Sequence, residues 1–249
     1  LNADTSEPCR VIAEKMLAED VAFGGSLTNN QTFTASTGVH TFTGTTKNIS
    51  GTVAIPNLTI DVSVTNNNTL TVSTALSGAG TLTNAASATL NIGGTSGITG
   101  LTATANPNTV DYNGAGQTVK AVTYHHLNLS GSGTKTLTSL TTINGNLTTS
   151  GTIAATTEAN LTVGGNLVVG SGTTFTVGAF TIGVTGTTSV TGTLAHSGTG
   201  TKTYTGAMTV NNGGSVTNAG NAAMTLGAGL TLNATSTWTK ASSATITWS

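Results

Sequence analysis

From Ser26 onward apolar and polar residues alternate. TLTVSTAL (69–76), ATLNI (88–92), NLTVGGNLVV (160–169), TFTVGAFTIGV (174–184) and GLTLN (229–233) interleave apolar residues with Thr or Asn. Alternation of this kind, rich in β-branched residues, predicts short strands with one buried face. Gly, Ser-Gly and Asn-Gly between them predict tight turns. Before Ser26 the period differs. In PCRVIAEKMLAEDVAF (8–23), Val11, Ile12, Met16, Leu17 and Val21 follow three- and four-residue spacing. That spacing predicts one short N-terminal α-helix with a single apolar face. Thr5 or Ser6 is placed to cap it, and Gly24–Gly25 stops it.

The strands recur. Leu70, Leu90 and Val110 are evenly spaced, and Leu127, Leu147 and Leu167 keep the same interval. Thr187, Met208 and Leu230 continue the series, and only the step from Val110 to Leu127 is short. A period of roughly 20 in an all-β chain predicts a repeat architecture of stacked coils. We therefore expect an all-β fold, a β-solenoid (parallel β-helix) of about 11 turns. The expected division is a helical cap or assembly segment over 1–25 and the solenoid over 26–249. A β-sandwich would share the short strands but not this period.

Composition agrees with this reading. Charged residues make up 6% of the chain, and 58 of the 249 residues are Thr. In stacked coils a charge lies close to its counterpart one coil away, whereas Thr and Asn stack without repulsion. The charges also cluster. Residues 1–24 hold seven, and residues 25–249 hold eight with no Arg among them. Without clustered Lys and Arg, nucleic acid is not an expected partner. No apolar run is long enough for a membrane-spanning helix. Cys9 is the only cysteine, so no disulfide can form within one chain.

The segment NTVDYNGAGQTVKAVTYHHLNLSGSGTKTL (108–137), with TTINGNLTTSGT and LTVGGNLVVGSGTTFTVG after it, resembles repeat segments of secreted bacterial surface proteins. These are the parallel β-helices of autotransporter passengers and filamentous adhesins. The resemblance covers roughly 100–249 well and 26–99 loosely. It implies an extracellular location at the cell surface and a structural or adhesive role. Residues 1–24 fall outside it.

Chemistry finds little support. The solenoid part carries three carboxylates, Asp61, Asp111 and Glu158, each more than two periods from the next. That is too many coils for a paired acid–base site, so no enzymatic activity and no cofactor are expected. His125 and His126 are adjacent, so on a strand they would face opposite ways. His40 and His196 are distant. All four read as outward or turn residues, and no metal site is expected. Thr-x-Thr recurs, for example at 69–71, 136–138, 174–176 and 237–239, without one register on the repeat period. That counts against an ice-binding array. Candidate glycosylation positions are Asn30, Asn48, Asn57, Asn67, Asn128, Asn146, Asn160 and Asn233.

The ends draw attention. TSTWTKASSATITWS (235–249) reads as strand to its last residue and holds both tryptophans. An open last coil would template another chain. The expected function is a filament or fibre subunit joined head to tail with copies of itself. Its assembly interface would comprise Cys9, Val11, Ile12, Met16, Leu17, Val21, Trp238 and Trp248. The alternative is a monomeric adhesin stalk, or a rod binding ice or cell-surface glycans through its Thr-rich face.

Overall fold

The structure, a computed structural model, describes residues 19–249. Its strands pair in parallel, and the chain winds as a β-solenoid of about 11 turns in all. It divides into two compact units, one ending at Gly114 and the other running from Ala115 to Ser249.

In the first unit one stack of parallel strands runs through Val21–Phe23, Val39–Phe42, Asn57–Ile60, Ala75–Ser77 and Thr95–Ser96. The strand Lys47–Ala54 feeds two further stacks. Its first part pairs with Ser63–Asn66, and its last part pairs with Thr69–Val72. The division falls at Gly51, which has φ +87°. A Cβ there would run into the Asn29 carbonyl. Only glycine takes this conformation without strain. Gly51→Ala should therefore cost about 1–3 kcal/mol in a urea melt. At Gly183 no atom lies within 4 Å of an added Cβ, so Gly183→Ala should stay within about 0.5 kcal/mol of the parent. Equal effects of the two substitutions would sink this reading.

The second unit has three parallel stacks. One contains Gln117–Thr118, Ser132–Leu137, Thr152–Thr157, Thr174–Val177, Thr193–His196, Ser215–Asn218 and Thr237–Lys240. We call it the wide sheet, because its strands from Ser132–Leu137 onward present at least two outward positions each. A second contains Thr142–Ile143, Leu161–Val163, Ile182–Val184, Lys202–Tyr204, Met224–Leu226 and Ile246–Trp248. The third runs from His126–Leu129 to Leu230–Leu232.

Burial follows the alternation. Leu127, Leu147 and Leu167 pair in register and are fully buried, as do Leu70, Leu90 and Val110. Each such side chain contributes about 1.5–3 kcal/mol by leaving water. The anchor after Leu167 is Thr188, one residue beyond the expected Thr187. Parity explains the shift: Thr188 is buried, while Thr187 bonds outward to Asn166.

The N-terminal expectation changes in part. Residues 8–18 of the expected helix lie outside the described residues. Its last turn is not helical: Val21–Phe23 is a strand paired with His40–Phe42. The Phe23 ring packs 4.9 Å from Phe42 and 5.9 Å from His40. Pairing and aromatic packing outweigh the helical spacing, since propensity is a weak preference that tertiary context overrides.

Some polar groups inside the coils bond to one another, whereas the Thr188 hydroxyl and His40 Nε2 are buried without a partner among the described residues. Asn66 and Asn84 are fully buried, and the Asn66 amide donates to Asn84 Oδ1 (2.8 Å) and to the Thr89 carbonyl (2.9 Å). Asn84 in turn donates to the Thr109 carbonyl (3.0 Å). Thr149 and Thr173 share a buried hydroxyl pair at 2.8 Å.

Candidate functional site

Three features have no counterpart in an ordinary coil: buried ionisable groups, an open coil and a register of outward threonines.

His40 and His196 are fully buried, which corrects the outward reading. His196 Nδ1 lies 2.9 Å from the Thr217 carbonyl and Nε2 lies 2.7 Å from the Tyr204 hydroxyl. A carbonyl only accepts, so Nδ1 carries the proton and Nε2 accepts from the phenol. Burial pushes the His196 pKa down to about 4; the nearby Lys202 adds to this, and the Thr217 bond opposes it. Burial also raises the Tyr204 pKa, keeping the phenol a neutral donor.

Two lysines are buried as well. Lys135 Nζ donates to Gln117 Oε1 (2.5 Å) and the Ala115 carbonyl (3.3 Å). Lys202 Nζ donates to the Phe180 carbonyl (2.6 Å) and the Gly178 carbonyl (3.3 Å), and burial lowers its pKa to about 8. Sequence reasoning missed both, although parity carried the signal. In the word GTKT, at 133–136 and again at 200–203, Lys sits between two outward threonines and must therefore point inward. Both lysines tie the chain to a carbonyl about one coil earlier.

The other candidate chemistry disperses. His125 precedes the strand His126–Leu129, and its ring lies edge-on to His126 at 4.2 Å. The two therefore do not face opposite ways. His126 Nδ1 accepts the Asn146 amide (2.9 Å), and burial followed by His125 lowers its pKa. No group of three or more His, Cys, Asp or Glu side chains is placed to hold a metal among the described residues. Asp61 accepts the Ala79 amide and Glu158 accepts the Thr138 hydroxyl. Asn30, Asn48, Asn67, Asn160 and Asn233 are exposed, while Asn57, Asn128 and Asn146 are half-buried. The Asn146 and Asn160 side-chain oxygens accept amides about one coil on.

Of the expected assembly residues, Cys9, Val11, Ile12, Met16 and Leu17 lie outside the described residues. Val21 is half-buried in its strand. Trp238 and Trp248 lie in the last coil, formed by Leu230–Leu232, Thr237–Lys240 and Ile246–Trp248, each the last strand of its stack. Its inward positions continue buried columns. Leu232 follows Val210, Trp238 follows Val216, and Trp248 follows Leu226. Those predecessors are at most 1% exposed, yet Leu232 is 50% and Trp248 59% exposed. Among the described residues, nothing covers this coil from the far side.

On the wide sheet the outward positions hold a register that the repeat period does not show, and of the named Thr-x-Thr motifs 174–176 and 237–239 share it. One outward column runs Thr134, Ala154, Thr174, Thr193, Ser215, Thr237. The next runs Thr118, Thr136, Thr156 and Thr176, and after Ala195 continues with Thr217 and Thr239. The length of chain between coils varies, from the short step Thr118 to Thr136 to the long step Thr193 to Ser215. Loops of different length return the strands to the same register, and a fixed count along the chain hides this.

Fold and surfaces together define a parallel β-solenoid repeat protein. Comparison with family models, with curated proteins and with solved structures returns no match for the chain.

Proposed function

We propose that this chain is a structural β-solenoid of an extracellular surface, a fibre subunit that joins copies end to end through its open last coil. The observation that carries this reading is the stacking itself: Leu230–Leu232, Thr237–Lys240 and Ile246–Trp248 continue three columns in register, a pairing that a further parallel coil extends. Their three strand edges offer amides and carbonyls to such a coil. Another coil of this pitch, from a second copy, meets all three edges at once. Charge favours the same occupant. The open coil carries Lys240 alone, while residues 1–24 of a second copy hold five acids against Arg10 and Lys15. The internal use of His196, Lys135 and Lys202 supports a structural role over a catalytic one.

The test is electron microscopy and sedimentation of the untagged chain. The parent is expected to form end-to-end assemblies that grow with concentration. Trp248→Lys with Leu232→Lys places charge on the open core and should leave single particles. A parent that remains a single particle at every concentration overturns the proposal.

A further inference from the structure

We propose that the wide sheet is an ice-binding face, its ligand the ordered water of an ice surface. This inference is independent of how the ends assemble. Its basis is the paired outward columns from Thr134/Thr136 to Thr237/Thr239, six coils deep. Nine of those twelve positions are Thr, two are Ala and one is Ser. Neighbouring strands lie about 4.8 Å apart and alternate residues along a strand about 6.6 Å apart. The face is therefore a two-dimensional grid of hydroxyl and methyl groups. Threonine is stiff at χ1, so the grid is held before any ligand arrives. The methyls leave niches in which water adopts an ice-like order, and the hydroxyls anchor that water by hydrogen bonds.

Charge and ring content select the ligand. None of the twelve positions is ionisable; Lys135 lies on the same strands but points inward. A neutral grid matches a neutral lattice of donors and acceptors, and offers nothing to a phosphate, a nucleic acid or an anionic lipid. Nor does any of the twelve positions carry an aromatic ring. Phe175 is buried beneath Thr174 and Thr176. A crystalline polysaccharide would call for exposed rings to stack on its sugar faces. The other two stacks of this unit are poorer grids. One has a single outward column interrupted by Gly183, and the other includes Asn128 and Val168. In the first unit one set of outward pairs ends in Asn91 and Asp111, and another, Ser63/Thr65, Thr81/Thr83 and Gly100/Thr102, is only three coils deep.

The experiment follows ice recrystallisation and crystal shaping with the full chain, ice itself being the probe. The parent should inhibit recrystallisation and facet growing crystals. Thr176→Lys and Thr156→Lys, in the middle of the grid, should abolish both effects. Thr162→Lys, exposed on a different stack, should retain them. Thr176→Val keeps the shape and one methyl layer; it separates a lost hydroxyl from a lost fold and should weaken the effect. Ala195→Thr completes a column and should strengthen it. Circular dichroism confirms that each variant keeps its strands. A parent that neither shapes crystals nor slows recrystallisation overturns the proposal. So does an equal loss in Thr162→Lys.

Discussion

Tyr204→Ala is expected to lower the stability of the second unit by about 3–5 kcal/mol, the range for removing a large buried ring. Tyr204 is fully buried, between Val184 and Leu226 in its column, and its hydroxyl donates to His196 Nε2. Tyr204→Phe separates the two contributions. It keeps the ring and leaves a buried acceptor without its donor, which costs about 1–3 kcal/mol. Urea melts of parent and both variants give the ordering Tyr > Phe > Ala. Because coils contact chiefly their neighbours, hydrogen exchange should place the loss in strands 182–184, 202–204 and 224–226 and spare 142–143. A Phe variant as stable as the parent would mean that the buried histidine needs no partner.

Parity accounts for what is legible in the chain and what is not. The alternation over 160–169 and 174–184 predicts strands and their inward face, and the column Leu127–Leu147–Leu167 falls on its true register. The same rule, applied to GTKT and to Thr193–His196, places Lys135, Lys202 and His196 inside. Reading charge and imidazole as surface by residue type overrides it and gives the wrong side. Thr-x-Thr fails for a different reason. Its register depends on loop length, and the step from Thr193 to Ser215 is longer than that from Thr174 to Thr193. Chain spacing cannot reveal a register that turns of unequal length restore. Val21–Phe23 marks a third limit. Its helical spacing is present, but the strand depends on its partners His40–Phe42 in the following coil. The open coil is legible from the strand-like 235–249, although the exposure of Leu232 requires the structure.

Acid should weaken the second unit through His196. Its ordinary pKa is 6.5, and in the folded chain it is pushed down to about 4. Between these values the unfolded chain takes up a proton that the folded chain refuses, so stability falls as pH falls. It is complete above about 6.5, declines by about 1.4 kcal/mol per pH unit below that, and has lost about 3 kcal/mol near pH 4. The physical cause is local. A second proton on the ring would sit on Nε2, where it faces the proton of the Tyr204 hydroxyl, inside a coil that excludes water and close to Lys202. Tyr204 would have to turn its hydroxyl and lose its acceptor. Urea melts from pH 7 to pH 4 on the parent and on His196→Gln measure this. Glutamine carries a donor and an acceptor but does not titrate here, so the variant should be less stable at pH 7 and much flatter with pH. A residual slope is expected from His126, whose pKa is also lowered and which the substitution leaves in place. Parallel curves for the two proteins would show that the buried imidazole is not what acid attacks.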